Sequence, residues 1–172
     1  DGLIPALQSG VIDVIIAGMS PTEERKVSID FTDNYYKSDL VMVVRADSEY
    51  ADATKLSDFS GAKITAQLNT FHYTVIEQIE GVIKEQAMEN FPAMRVALET
   101  GIIDGYVSER PEGVSATAAN SNFAMVSFED GFETSDDDTA IAAGIKKGNE
   151  DLLNGINEVL AGISEEERTE IM

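Results

Sequence analysis

An arginine one turn inside a helix start can hold a carboxylate, and residues Ala17 to Phe31, reading AGMSPTEERKVSIDF, have that form. Ser20 is an N-cap residue type, Pro21 suits the first helical position and Glu23 falls three residues after the cap, so the spacing predicts a helix beginning here. Its free backbone N–H groups and dipole favour an anion, and Arg25 adds a planar fork of donors that matches a carboxylate. An ordinary capped surface helix with a solvated arginine has the same signature. A second corner, Gln67 to Phe71, follows a short strand pattern, and Thr70 is placed to cap a helix running to about Ile79, ended by Gly81. A third group, Ser108-Glu109-Arg110, follows a strand pattern ending at Val107. Glu109 would serve an ammonium, so the three groups together describe an α-amino acid. The single histidine, His72, reads as a polar surface residue near a helix start.

Composition narrows the partners. The 172 residues carry 12 Lys and Arg against 32 Asp and Glu, a net charge of −20, which argues against nucleic acid and anionic membrane surfaces. With no cysteine and one histidine, disulfides, thiolate metal sites and multi-histidine metal sites are unavailable. The acidic run Asp136 to Asp138 lacks the alternating ligands and glycine of a calcium loop, and Glu165 to Glu167 read as the first turn of a helix that Ser164 caps. No apolar run approaches the ~18 residues that a membrane span needs.

The elements that must position these groups are marked by an internal repeat. Ala6-Leu7-Gln8-Ser9-Gly10-Val11-Ile12-Asp13 resembles Ala97-Leu98-Glu99-Thr100-Gly101-Ile102-Ile103-Asp104. Each copy reads as a helix ending at a glycine and then a strand, Ile12 to Ile16 or Ile102 to Val107. Further strand patterns lie at Leu40 to Val44, Lys63 to Gln67, Phe123 to Val126 and Ala140 to Ile145, and a helix pattern spans Asp151 to Leu160. The expected architecture is α/β with parallel strands, one αβ unit in each of two lobes, and ligand groups beyond the strands' carboxyl ends.

The stretch DGLIPALQSGxIDVIIAGMSPTEERKxSIDFTDxYYKSxLV, the corner at Gln67 to Thr70 and the segment YVSERP, in that order, resemble the polar amino acid substrate-binding proteins of ABC importers, the type 2 periplasmic binding proteins. The resemblance implies an extracytoplasmic, lipid-anchored, two-lobed receptor. Such a receptor closes by a hinge around a polar L-amino acid and delivers it to a membrane permease, with no catalysis, cofactor or metal. It places lobe 1 at 1–39 with 137–172 and lobe 2 at 40–136, with hinge crossings at Tyr35 to Asp39 and about Ser135 to Ala140. It implies a backbone contact from Gly18 to the ligand ammonium, an α-carboxylate held by Ser20 and Arg25 and, from the opposite lobe, by Thr70, and an ammonium received by Glu109. Met19, Gln67, Leu68, Asn69 and Phe71 would be neighbouring contacts.

The chain departs from the family in two places. Asn69 stands where the family's corner has glycine, and the family's first strand and helix, which precede the position of Asp1, are missing, as is the end of the C-terminal helix. The expectation is therefore a fragment with a complete second lobe, an incomplete first lobe, weak or no ligand binding, and a tendency to dimerise or swap elements. Two other functions share this scaffold. A cyclohexadienyl or arogenate dehydratase would use Glu109 or His72 as proton donor, and a sensor ectodomain would use the same closure to signal. Glutamine, cystine, arginine and histidine all fit as ligands.

Overall fold

The two copies of the repeat adopt the same backbone. In the first, the Val11 and Ile12 N–H groups both donate to the Ala6 carbonyl, at 3.0 and 3.4 Å, and Gly10 donates to Leu7. In the second, Ile102 and Ile103 donate to Ala97 at 2.9 and 3.3 Å, and Gly101 donates to Leu98. Gly10 and Gly101 sit at φ +78° and +74°, a conformation that a side chain resists. Leu7 and Leu98 are fully buried while Val11 and Ile102 are exposed, so the leucine anchors each copy.

This computed structural model describes residues 2–129 and 131–171. Asp1, Asp130, Met172 and the side chains of Asp136, Asp137 and Thr169 lie outside the described residues, and with them part of the acidic run Asp136 to Asp138. The order begins α1 (Leu3–Ser9), β1 (Val14–Ile15), α2 (Glu23–Ser28), β2 (Asp30–Phe31) and β3 (Tyr36–Lys37). It continues with β4 (Leu40–Arg45), β5 (Lys63–Ala66), α3 (Phe71–Val75), β6 (Ile83–Lys84), α4 (Phe91–Glu99), β7 (Gly105–Glu109), α5 (Arg110–Ala119) and β8 (Phe123–Val126). The chain closes with α6 (Asp136–Thr139), β9 (Ala140–Ile141), β10 (Gly144–Ile145), α7 (Glu150–Ala161) and α8 (Glu165–Ile171). These elements form two compact units, 1–38 with 135–172 and 39–134, each holding one copy of the repeat.

The unit 39–134 is built on a five-stranded sheet of order β6-β5-β7-β4-β8. β4 is buried on both faces. Leu40, Met42 and Val44 pack with Phe59, Ile64, Ile76 and Val107 on one side, and Val43 packs with Met94, Leu98 and Tyr106 on the other. The continuous apolar run therefore marks a strand covered on both faces, as expected, but the sheet is mixed: β5 is parallel to β6 and β7, whereas β4 is antiparallel to β7 and β8. Burial on two faces writes the same apolar run for either direction, so the expectation of parallel strands is corrected here. Arg95 of α4 binds Glu112 of α5 through both carboxylate oxygens at 2.8 and 2.9 Å, and the buried Tyr106 hydroxyl donates to the same group at 3.2 Å. One carboxylate thus ties two helices to β7.

The other unit carries shorter strands in two antiparallel sheets, β1-β10-β2 and β3-β9, over a small core of Leu7, Ile15 and Ile29. The strand expected at Ile12 to Ile16 is reduced to Val14–Ile15, and Ile16 is 69% exposed. The strand expected at Ile102 to Val107 is displaced to Gly105–Glu109. The single strand expected at Ala140 to Ile145 is two, because β9 pairs with β3 and β10 with β1 and β2. Between them the Ala142 N–H donates to the Met19 carbonyl and that of Ala143 to the Thr32 hydroxyl. At the C-terminal end Ser164 and Glu167 exchange the bonds of the capping box, as their spacing predicts.

Candidate functional site

Ser20 does not cap α2. The helix begins at Glu23 with Thr22 as its N-cap, and the Thr22 hydroxyl accepts from the Arg25 N–H at 3.4 Å. Two residues of capping type compete two positions apart, and burial decides between them. Ser20 is 3% exposed and its hydroxyl donates to the Asp138 carbonyl at 2.8 Å, which leaves the more exposed Thr22 for the helix. The expected anion-receiving helix start is corrected with it, because α2 has only six residues and its first turn holds Glu23 and Glu24, which already answer its dipole.

What remains for an anion is the guanidinium. Arg25 is half-buried and its Nη1 donates to the Ser20 carbonyl at 3.0 Å, which fixes the side chain against the segment Ser20 to Thr22. One of its five N–H donors is thereby used, and among the described residues no carboxylate pairs with it. Gly18 and Met19 lead into this segment. The Met19 side chain packs on the Leu7, Ile15 and Ile29 core, and its carbonyl is bonded to Ala142.

The unit 39–134 holds the other expected residues. Thr70 is the N-cap residue of α3 by position, but its hydroxyl donates to the Gln67 carbonyl at 2.7 Å and caps nothing, a correction to the expected capping bond. The helix it opens is shorter than expected, ending at Val75 and tightening into a 3-10 turn over Ile76–Gln78. Asn69 stands at φ +61°, the single non-glycine residue at positive φ among those described, and asparagine is among the few side chains that tolerate that region. The corner is held in place from the side. The Gln67 side-chain amide donates to the Glu89 carbonyl, and the Leu68 N–H donates to Met88 at 2.8 Å. Leu68 is 43% exposed, and Phe71 packs against the core below β5.

Glu109 ends β7 and its side chain is 12% exposed. Its carboxylate accepts no hydrogen bond among the described residues, and neither lysine nor arginine pairs with it; the group beside it is His72, with Nε2 at 3.5 Å. His72 is corrected from a surface residue to a buried one, 7% exposed, with its ring 4.5 Å from that of Phe71. Neither ring nitrogen has a hydrogen-bond partner. The sequence offered one signal for this pair, the helix start directly beyond β5, and no signal that its second residue would face the end of β7.

A cavity of about 390 Å³ lies elsewhere, lined by Asn34 to Lys37, Ala140, Glu165 and Arg168. Arg168 is spent there on backbone, donating to the carbonyls of Asn34 and Leu160, and none of the expected site residues lines the cavity.

The profile of the bacterial extracellular solute-binding proteins, family 3, matches residues 1–172. A probable histidine-binding protein of Campylobacter jejuni is 36% identical over 125 residues, covering 67% of this chain and 48% of that protein. The ABC transporter glutamine-binding protein GlnH of Bacillus subtilis is 29% identical over 154 residues, covering 90% and 54%. The chain thus spans about half the length of these curated relatives. An ancestral arginine-binding protein, solved bound to glutamine, superposes with a TM-score of 0.76 at 32% identity, over 94% of this chain and 69% of that one.

Proposed function

From a chain that belongs to the bacterial extracellular solute-binding proteins, family 3, with the type 2 periplasmic binding fold, we propose a receptor that captures a polar L-α-amino acid for an ABC importer and leaves it chemically unchanged. The observation that carries this reading is that each unit holds one uncompensated charge, a cation in one and an anion in the other. Arg25 is a half-buried cation with no carboxylate partner among the described residues, in a chain of net charge −20. Glu109 is a largely buried anion with neither lysine nor arginine beside it. Removing such a charge from water costs several kcal/mol unless an opposite charge or hydrogen-bond donors replace the water. An amino acid supplies both, its carboxylate to Arg25 and its ammonium to Glu109.

Ser20 and Thr70 then act as second donors once their hydroxyls turn from the carbonyls they now bond, and Gly18, Met19 and Gln67 to Phe71 shape the surroundings. The two units serve as the lobes, with the chain crossings at 38–39 and 134–135 as hinge. The relatives named above as binding histidine, glutamine or arginine support the ligand class. The receptor works outside the cytoplasm on a lipid anchor and hands its solute to a membrane permease.

Isothermal titration with the twenty amino acids and L-cystine tests the reading. At least one binds in the micromolar range or tighter, and its N-acetyl derivative, which lacks the ammonium, does not. Arg25→Ala weakens that binding by about 2–5 kcal/mol, because a charge-assisted pair is cut. Titrations without heat for any amino acid, or an unchanged Kd in Arg25→Ala, overturn it.

A further inference from the structure

His72 contributes nothing to the core that a hydrocarbon side chain would not, yet it is more than nine-tenths buried with both ring nitrogens unpartnered. Unpartnered buried nitrogens are costly, because they give up water without gaining a partner. The ring is backed by Phe71, and its Nε2 lies 3.5 Å from Glu109 Oε1, beyond hydrogen-bond length but close enough that a shift of about half an ångström makes a charge-assisted bond. Other titratable groups on the elements packed against α3 are occupied or distant. Glu77 pairs with Lys84 at 2.7 Å, the Tyr73 hydroxyl donates to the Glu85 carbonyl and that of Tyr106 to Glu112. Lys63 is exposed at the N-terminal end of β5, away from the corner that leads to α3.

We propose that His72 is a positioning residue for Glu109: neutral, it leaves the carboxylate to an ammonium, and protonated, it takes the carboxylate for itself, so that solute capture and proton uptake at this pair oppose one another. The inference rests on the reading that Glu109 receives the amino acid's ammonium. Two cations brought against one carboxylate repel each other, and a coupling between two ligands is reciprocal, so a proton that weakens the solute is weakened by it equally.

Two measurements test it. Because His72 is the only histidine, its imidazole proton resonances are unambiguous in the spectrum of the whole chain. In Glu109→Gln, without ligand, they stand apart from their positions in the parent at the same pH, since the carboxylate beside the ring has lost its charge. Coincident resonances overturn the proposal whether or not the chain binds amino acids. Calorimetric titration with L-glutamine and L-arginine then shows Kd rising at least about fivefold from pH 8 to pH 6 in the parent, and less than about twofold in His72→Gln. A parent and variant with the same pH profile overturn the role of His72 while leaving the amino-acid reading intact. Absence of binding of both solutes at pH 8 overturns that reading for them, and with it the competition, even where the imidazole still senses Glu109.

Discussion

Ser20 and Thr22 show what residue types disclose and what they do not. Both can cap a helix, and only the burial of one against the Asp138 carbonyl, far along the chain, assigns the cap to the other. Asn69 was the more legible residue. It stands where the corner of the family that the chain resembles has glycine, the residue suited to positive φ, and its own φ is +61°. His72 was illegible, because nothing local to it says that the end of β7 will lie beside it. Local backbone bonds also set the titration of single acids. Asp58 accepts from the Thr54 and Lys55 N–H groups, both at 3.0 Å, and these bonds hold its carboxyl below the ordinary carboxylate range. A folded pKa below the unfolded one contributes stability above the unfolded value, and that contribution is lost as pH falls through the folded value. Asp58→Asn, which cannot titrate, therefore flattens the dependence of thermal midpoint on pH below about pH 4, the ordinary aspartate range. Parallel wild-type and variant curves through that range would show that the two backbone bonds do not stabilise the loop.

At the scale of elements, burial was legible and direction was not. β4 announced itself by an unbroken apolar run, whereas its antiparallel course depends on the long connection to β5, which no residue pattern records. α5 was missed altogether. Its sequence RPEGVSATAA holds a glycine, a proline and β-branched residues, poor helix formers, and the helix stands because its small residues let it lie close on the sheet. A Cβ at Gly113 would meet Met125 Sδ at 2.7 Å and Val41 Cγ2 at 2.9 Å. Gly155 in α7 has nothing within 4 Å of the same position, and neither glycine has positive φ. The same substitution should therefore have opposite signs. Gly155→Ala stabilises by about 1 kcal/mol through helix propensity alone. Gly113→Ala gains that amount and forfeits about 1–3 kcal/mol to overpacking, because the fully buried Val41 cannot swing away. Urea unfolding of the two variants, with unchanged slope, measures the difference, and a stabilised Gly113→Ala would mean that α5 is free to move off the sheet.

One motif occurs once in each of the two compact units. Its two copies keep the buried leucine and the left-handed glycine, the residues with the narrowest structural alternatives, and differ at exposed positions such as Gln8 and Glu99. The acidic excess belongs to this scale as well. Its charges are spread along the chain, and the described ion pairs are few, so most carboxylates face one another through solvent. A net charge of −20 on 172 residues makes compaction work against self-repulsion, which salt screens over a Debye length of about 10 Å at 0.1 M. Raising the salt from about 10 mM to about 300 mM should then raise the thermal midpoint by roughly 2–4 °C, equivalent to about 1 kcal/mol for a chain of this size. Screening depends on ionic strength alone, so sodium chloride and tetramethylammonium chloride should act alike. A rise with sodium only would instead mean that some of these carboxylates gather around a bound cation, and no rise with either would mean that the acids are already far enough apart to be independent.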